Sequence, residues 1–243
     1  MINWMYGRKG GVRVVKMIAH RGASLLAPEN TLPAYELAGK LGYFGGECDI
    51  HETLDHQFVL MHDETLNRMT NGTGKIGDYT LEELKHCKII NGAFYEKFPN
   101  LKIPTLEEYL TVCKKNGLTP VIEIKKISKP GLPRFLETIY KYFKSHEVII
   151  ISFNEKSLIE VRRLDSKINI QWLAWLTEEN IHFCANYNMD IDTSHKHVTK
   201  KLVAQAHSKN VLVNAWTVNE EELLKKLTDM GIDFITTDHL GHS

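Results

Sequence analysis

Strand-like and helix-like segments alternate along this 243-residue chain, and the alternation predicts an α/β fold, a (β/α)8 TIM barrel with a small insertion after the second strand. Three observations carry the prediction. Short β-branched apolar runs recur eight times, most intervals between them open on a helix-start signal, and the length suits eight βα units. A doubly wound sheet is the alternative arrangement of the same alternation.

The eight runs are residues 17–20, 46–50, 119–124, 148–152, 168–174, 189–192, 211–217 and 234–237. Thr31 followed by Pro33 predicts a helix running to Lys40, and Thr105 with Glu108 forms a capping box. Asn154 and Asn219 sit where N-caps belong, the second with Glu222 three residues on. A further apolar run, residues 58–62, follows the second strand after only the short polar turn at Asp55, His56 and Gln57, so the two should pair as an antiparallel hairpin. Turn-rich sequence then continues, with one short helix opened by Thr80 and Glu83, which sets the insertion at about 52–103 on the rim of the barrel. After Asp238 only five residues remain, too few for an eighth outer helix. The barrel domain is expected over 16–243, and residues 1–15 are read as an extension that is either disordered or folded over that gap.

Composition narrows the partners. Thirty basic residues balance thirty acidic ones, which leaves no general field for nucleic acid or an anionic membrane surface. Four scattered cysteines without CxxC spacing argue for reduced thiols, and no segment has the apolar length of a signal peptide or membrane span. The expectation is a cytoplasmic protein that acts on a small molecule.

The chemistry concentrates at predicted strand ends. Side chains two residues apart on a strand share a face, so Glu47 and Asp49 point together, as do Glu123 and Lys125. At the C-terminal ends of barrel strands these groups look into the mouth where active sites are built. Three carboxylates there repel unless a cation neutralises them, and an all-oxygen set suits one divalent cation, Mg2+ or Ca2+, with Mn2+ also acceptable. Arg21 and Lys125 would make the same mouth receptive to a phosphodiester. His20 and His62 are the candidates for general acid and base. Trp216 and Phe153, at other strand ends, are placed to pack against the carbon atoms of a substrate. His195 and His197, with Lys196 between them, read as a solvated loop or a minor metal site.

Taken in order, His20-Arg21-Gly22, Pro28-Glu29-Asn30-Thr31, Glu47-x-Asp49, His62-Asp63, Ile103-Pro104-Thr105-Leu106-Glu107-Glu108, Glu123-Ile124-Lys125, Ala215-Trp216-Thr217-Val218-Asn219 and Ile235-Thr236-Thr237-Asp238 resemble the glycerophosphodiester phosphodiesterase family. The resemblance runs from about Lys16 to Asp238. It implies metal-dependent hydrolysis of glycerophosphodiesters to sn-glycerol 3-phosphate and an alcohol. It also implies Glu47, Asp49 and Glu123 as metal ligands, His20 and His62 as the acid–base pair, and Arg21 and Lys125 as phosphate contacts. Related barrels that cleave lysophospholipids or sphingomyelin, and a non-catalytic barrel that only binds such diesters, are the rival readings.

Overall fold

The computed structural model describes residues 8–9 and 12–240. In chain order the strands are β1 (Arg8–Lys9), β2 (Val12–Arg13), β3 (Lys16–Ala19), β4 (Gly45–Glu52), β5 (Phe58–Leu60), β6 (Thr119–Lys126), β7 (Ile149–Ser152), β8 (Asn169–Leu173), β9 (Asp190–Ser194), β10 (Val213–Trp216) and β11 (Phe234–Thr237). The helices are α1 (Leu32–Lys40), α2 (Leu81–His86), α3 (Leu106–Asn116), α4 (Gly131–Tyr140), α5 (Glu155–Leu164), α6 (Glu178–Asn186), α7 (Lys200–Ser208) and α8 (Glu221–Met230).

Eight parallel strands close on themselves in the order β3, β11, β10, β9, β8, β7, β6, β4, with β3 pairing back to β4 through Ile18–Gly45 and Ala19–Gly46. A doubly wound sheet has two free edges; here β3 is bonded on both sides, so the sheet is a barrel. The strand β5 stands outside this cycle and pairs antiparallel with β4, Ile50 opposite Leu60, which is the hairpin read from the short polar turn. His56 supplies the left-handed residue of that turn, at φ 60°.

Strand alternation sorts the side chains into two layers. Cys48, Ile50, Ile122, Ile124, Ile150, Ile170, Ile191, Val213 and Ile235 pack outward with helix residues such as Tyr35, Leu110 and Phe135. Ile18, Val121, Ile149, Ile151, Leu173 and Phe234 fill the barrel interior. A polar layer lies on the same inner face, where Asn214 donates to Gln171 Oε1 at 3.1 Å and Thr236 donates to Asn214 Oδ1 at 3.3 Å. The insertion has an apolar cluster of its own, built on Val59, Met61, Leu66, Met69, Ile76, Leu84 and Ile103, so it stands on the barrel rim as a small packed unit.

Helix starts follow the sequence signals in most cases. Both capping boxes form, Thr80 with Glu83 and Thr105 with Glu108, and the Asn154 side chain accepts from the amides of Lys156 and Ser157. Two signals were spent elsewhere. Thr31 precedes α1, but its hydroxyl donates to Pro28 O at 2.6 Å and does not cap the helix. Asn219 is not the N-cap of α8, which begins after Glu220; its amide reaches instead to the loop after β11. Residues 195–197 form a 3-10 turn in the connection after β9, with Lys196 and His197 exposed and the His197 ring stacked on Trp175. Beyond β11 the described residues end at Leu240 without a helix, and the expected 1–15 extension lies largely outside the described residues. No helix among the described residues is long and apolar enough to cross a membrane.

Gly22 anchors the turn that carries the first site residues. It sits at φ +80°, and a Cβ there would lie 2.7 Å from Ala34 Cβ and 2.8 Å from the Ala34 carbonyl carbon at the start of α1. Gly42 has nearly the same φ, +79°, with open space around it. Gly42→Ala should therefore cost only the left-handed penalty, about 1 kcal/mol, and Gly22→Ala roughly 2 kcal/mol or more because α1 must shift as well. Urea unfolding midpoints of the two variants measure the difference, and equal values would refute the close-packing account.

Candidate active site

Glu47 and Asp49 lie on the inner face of β4 and Glu123 on the inner face of β6, where Asp49 is the direct register partner of Glu123. One carboxylate oxygen from each falls within 4.8 Å of the others, and the three residues are 3%, 1% and 9% exposed. Burial and the two neighbouring carboxylates push the Glu47 carboxyl well above its usual range. Burial and Asp49 likewise raise Glu123 to about 7. Asp49 is also pushed up by burial, but Arg21 and Lys125 outweigh that and its net shift is downward.

The cations reach the cluster from two sides. Lys125 Nζ stands 3.0 Å from Glu123 Oε1 and 3.5 Å from Asp49 Oδ1, and Arg21 Nε stands 3.5 Å from Asp49 Oδ2. Arg21 also donates its backbone amide to Glu47 Oε2 at 2.8 Å, which its left-handed conformation (φ 58°) makes possible. Asn30, at φ 55°, clamps Asp49 twice: its Nδ2 donates to Oδ2 at 2.8 Å, and its Oδ1 accepts the Asp49 amide at 3.1 Å. With all three ionised, the carboxylates would outnumber the two cations in a buried space. The donor set is all oxygen, buried and drawn close, so the cluster fits a hard divalent cation.

Each of the two histidines is held by a carboxylate. His20 Nδ1 lies 2.8 Å from Asp238 Oδ1, and Asp238 is fixed in turn by Asn219, whose Nδ2 donates to Oδ2 at 2.6 Å and whose Oδ1 accepts the Asp238 amide at 2.9 Å. His62 Nδ1 lies 2.8 Å from Asp63 Oδ1. Asp63 receives two bonds from Arg68, Nε at 2.8 Å and Nη2 at 3.0 Å, and these hold its carboxyl far below the usual range. The same Arg68 Nη2 reaches Glu29 at 2.6 Å, and Glu29 also accepts from Arg21 Nη1 at 3.1 Å, so one chain of ion pairs links His62 to Arg21. Met61, before His62, donates its amide to Asp49 O at 3.0 Å, which seats the hairpin arm beside the carboxylates.

The expected site residues thus divide. Arg21, Glu47, Asp49, Glu123 and Lys125 touch one another, and His20 and His62 are each oriented by an acid. Trp216 is not tied to them; it ends β10 on the opposite wall of the mouth, with the Phe153 ring edge-on at 6.1 Å. Asn30, Glu29, Asp63 and Asp238 stood inside quoted motifs without a role, and Arg68 carried no signal at all.

A closed barrel whose C-terminal mouth joins an acidic cluster fit for a hard cation, two anion-attracting cations and two oriented histidines is the arrangement of phosphodiester-cleaving hydrolases. The sequence pattern of the Glycerophosphoryl diester phosphodiesterase family matches residues 20–242, and the chain belongs to that family. It is 35% identical over 228 residues to a glycerophosphodiester phosphodiesterase of Caldanaerobacter subterraneus, covering 91% of this chain and 93% of the relative. It is 34% identical to a glycerophosphodiester phosphodiesterase of Bacillus altitudinis, covering 93% and 95%. An Oleispira antarctica phosphodiesterase, solved in complex with the product sn-glycerol-3-phosphate, superposes with a TM-score of 0.85 at 26% identity, over 92% of each chain.

If the three carboxylates form one cation site, Glu123→Gln and Asp49→Asn should each weaken Mn2+ binding by more than the roughly 10- to 100-fold that loss of an outer-shell partner costs. Calorimetric titration of metal into the two variants reads this directly, and native affinity in both would dismiss the cluster as a metal centre.

Proposed function

We propose that this chain hydrolyses glycerophosphodiesters to sn-glycerol 3-phosphate and an alcohol, with a divalent cation at Glu47, Asp49 and Glu123 and with His20 and His62 exchanging the protons. The carrying observation is that two carboxylate-oriented histidines stand at the rim of a buried acidic cluster flanked by Arg21 and Lys125. The bound cation would supply Lewis acidity toward a phosphoryl oxygen.

Arg21 and Lys125 take the other share of the phosphate charge. Both now bridge carboxylates, and once a cation neutralises those acids their N–H groups are free to turn to phosphate oxygens. Each histidine commits Nδ1 to its acid and so presents Nε2 to the substrate. One Nε2 accepts the proton of the attacking oxygen, and the other delivers a proton to the departing alcohol oxygen. Asp63 and Asp238 remain ionised throughout, stabilising whichever ring is protonated, in the way a carboxylate supports a catalytic histidine elsewhere. With the glycerol hydroxyl next to the ester as attacking group, the first product is a cyclic phosphate that water then opens.

Purified protein should release sn-glycerol 3-phosphate from glycerophosphocholine or glycerophosphoethanolamine only after Mg2+, Ca2+ or Mn2+ is restored to chelated enzyme. Absence of release across a panel of head groups and metals would sink the reading. His20→Asn and His62→Asn should each lower kcat by about 10²- to 10⁴-fold. Arg68→Gln touches the reaction only through Asp63 and Glu29, so we expect a smaller drop in kcat, roughly tenfold, with KM little changed; a loss confined to KM would reassign Arg68 to substrate binding.

A further inference from the structure

On the β7 to β10 wall of the mouth, Phe153, Trp172, Trp175, Asn180, Ser194 and Trp216 line a cavity of about 290 Å3. We propose that this cavity is a head-group subsite for a methylated ammonium, so that choline-bearing diesters are the preferred substrates; the inference rests on the hydrolysis proposed above.

The placement of the charged groups sets where a substrate arm can go. Arg21, Lys125, both histidines and the acids all come from β3, β4, β6 and the arm after β5, which leaves one ester arm of the substrate to lie over the opposite wall. That wall is aromatic and carries no charged side chain among the cavity's lining. Trp175 is 67% and Phe153 58% exposed, large apolar surfaces that a folded chain ordinarily covers or uses. Trp175 is held in plane by stacking on His197, 5.2 Å between centroids at 26°, and Phe153 stands edge-on to Trp216 at 81°.

The polar inventory then selects among arms. A glycerol arm brings hydroxyl protons that need acceptors, yet the only side-chain acceptors in the cavity's lining are Ser194 Oγ and Asn180 Oδ1, since the indole N–H groups of Trp172 and Trp216, unpartnered among the described residues, can only donate. A primary ammonium brings three N–H donors and meets the same shortage. A trimethylammonium has no donor to satisfy, buries its methyl groups, and is attracted as a cation to the ring faces.

The test compares glycerophosphocholine with its 3,3-dimethylbutyl isostere, in which carbon replaces the quaternary nitrogen. Native enzyme should favour the choline diester about tenfold in kcat/KM, and Trp175→Leu should bring that ratio close to one. Native enzyme that handles the isostere equally well, or a Trp175→Leu variant that keeps the native ratio, overturns the proposal. Ligand-observed NMR of tetramethylammonium gives a readout free of turnover. Binding to the native chain that is lost in Trp175→Leu supports the subsite even if no diester is cleaved, in which case the hydrolysis alone fails; no binding to native protein overturns the subsite.

Discussion

Three carboxylates are buried in this barrel with an oxygen of each within 4.8 Å of the others, and the surrounding structure is organised around making that tolerable. Like charges in a space of low polarity repel strongly, and burial alone drives each toward its neutral form. Arg21, Lys125 and Asn30 answer that repulsion at Asp49, the acid in the middle of the set, and the left-handed turn at Arg21 and Gly22 exists to aim a backbone amide at Glu47. The packing of Gly22 on Ala34 follows, because α1 must approach closely for Asn30 and Tyr35 to reach β4; the Tyr35 hydroxyl lies 3.1 Å from Glu47 O.

A second consequence is the division of the mouth into two walls of opposite character. The β3, β4 and β6 side, with the hairpin arm, is a lattice of ion pairs. The β7 to β10 side presents rings. A phosphodiester has the same division, an anionic centre with a carbon-rich arm, so the two walls can grip different parts of one molecule without competing for them. His62 belongs to the charged wall only because the insertion brings its own small apolar core, which makes a surface arm stiff enough to hold an ion-pair chain from Asp63 through Arg68 and Glu29 to Arg21.

The two histidines rest on unlike supports. Asp63 is backed by a guanidinium, and Asp238 by the neutral amide of Asn219. Both arrangements fix a ring orientation, which is what the proposed proton transfer at Nε2 requires; the His62 pair is local, whereas His20 and Asp238 lie 218 positions apart.

Much of this was determined by the sequence itself. Period-two alternation put Glu47 with Asp49 and Glu123 with Lys125 on common faces, the helix caps at Thr80, Thr105 and Asn154 are local hydrogen-bonding preferences, and a turn of three polar residues admits nothing but a hairpin. Those features depend on neighbours a few residues apart. Closure of the barrel, the choice of Asn219 for Asp238 over its own helix, the clamp of Asn30 on Asp49 and the reach of Arg68 to Glu29 join residues from about 19 to more than 200 positions apart. An amide or guanidinium has several possible partners of similar local strength, and only the packed barrel, by setting which of them is near and dry, decides among them.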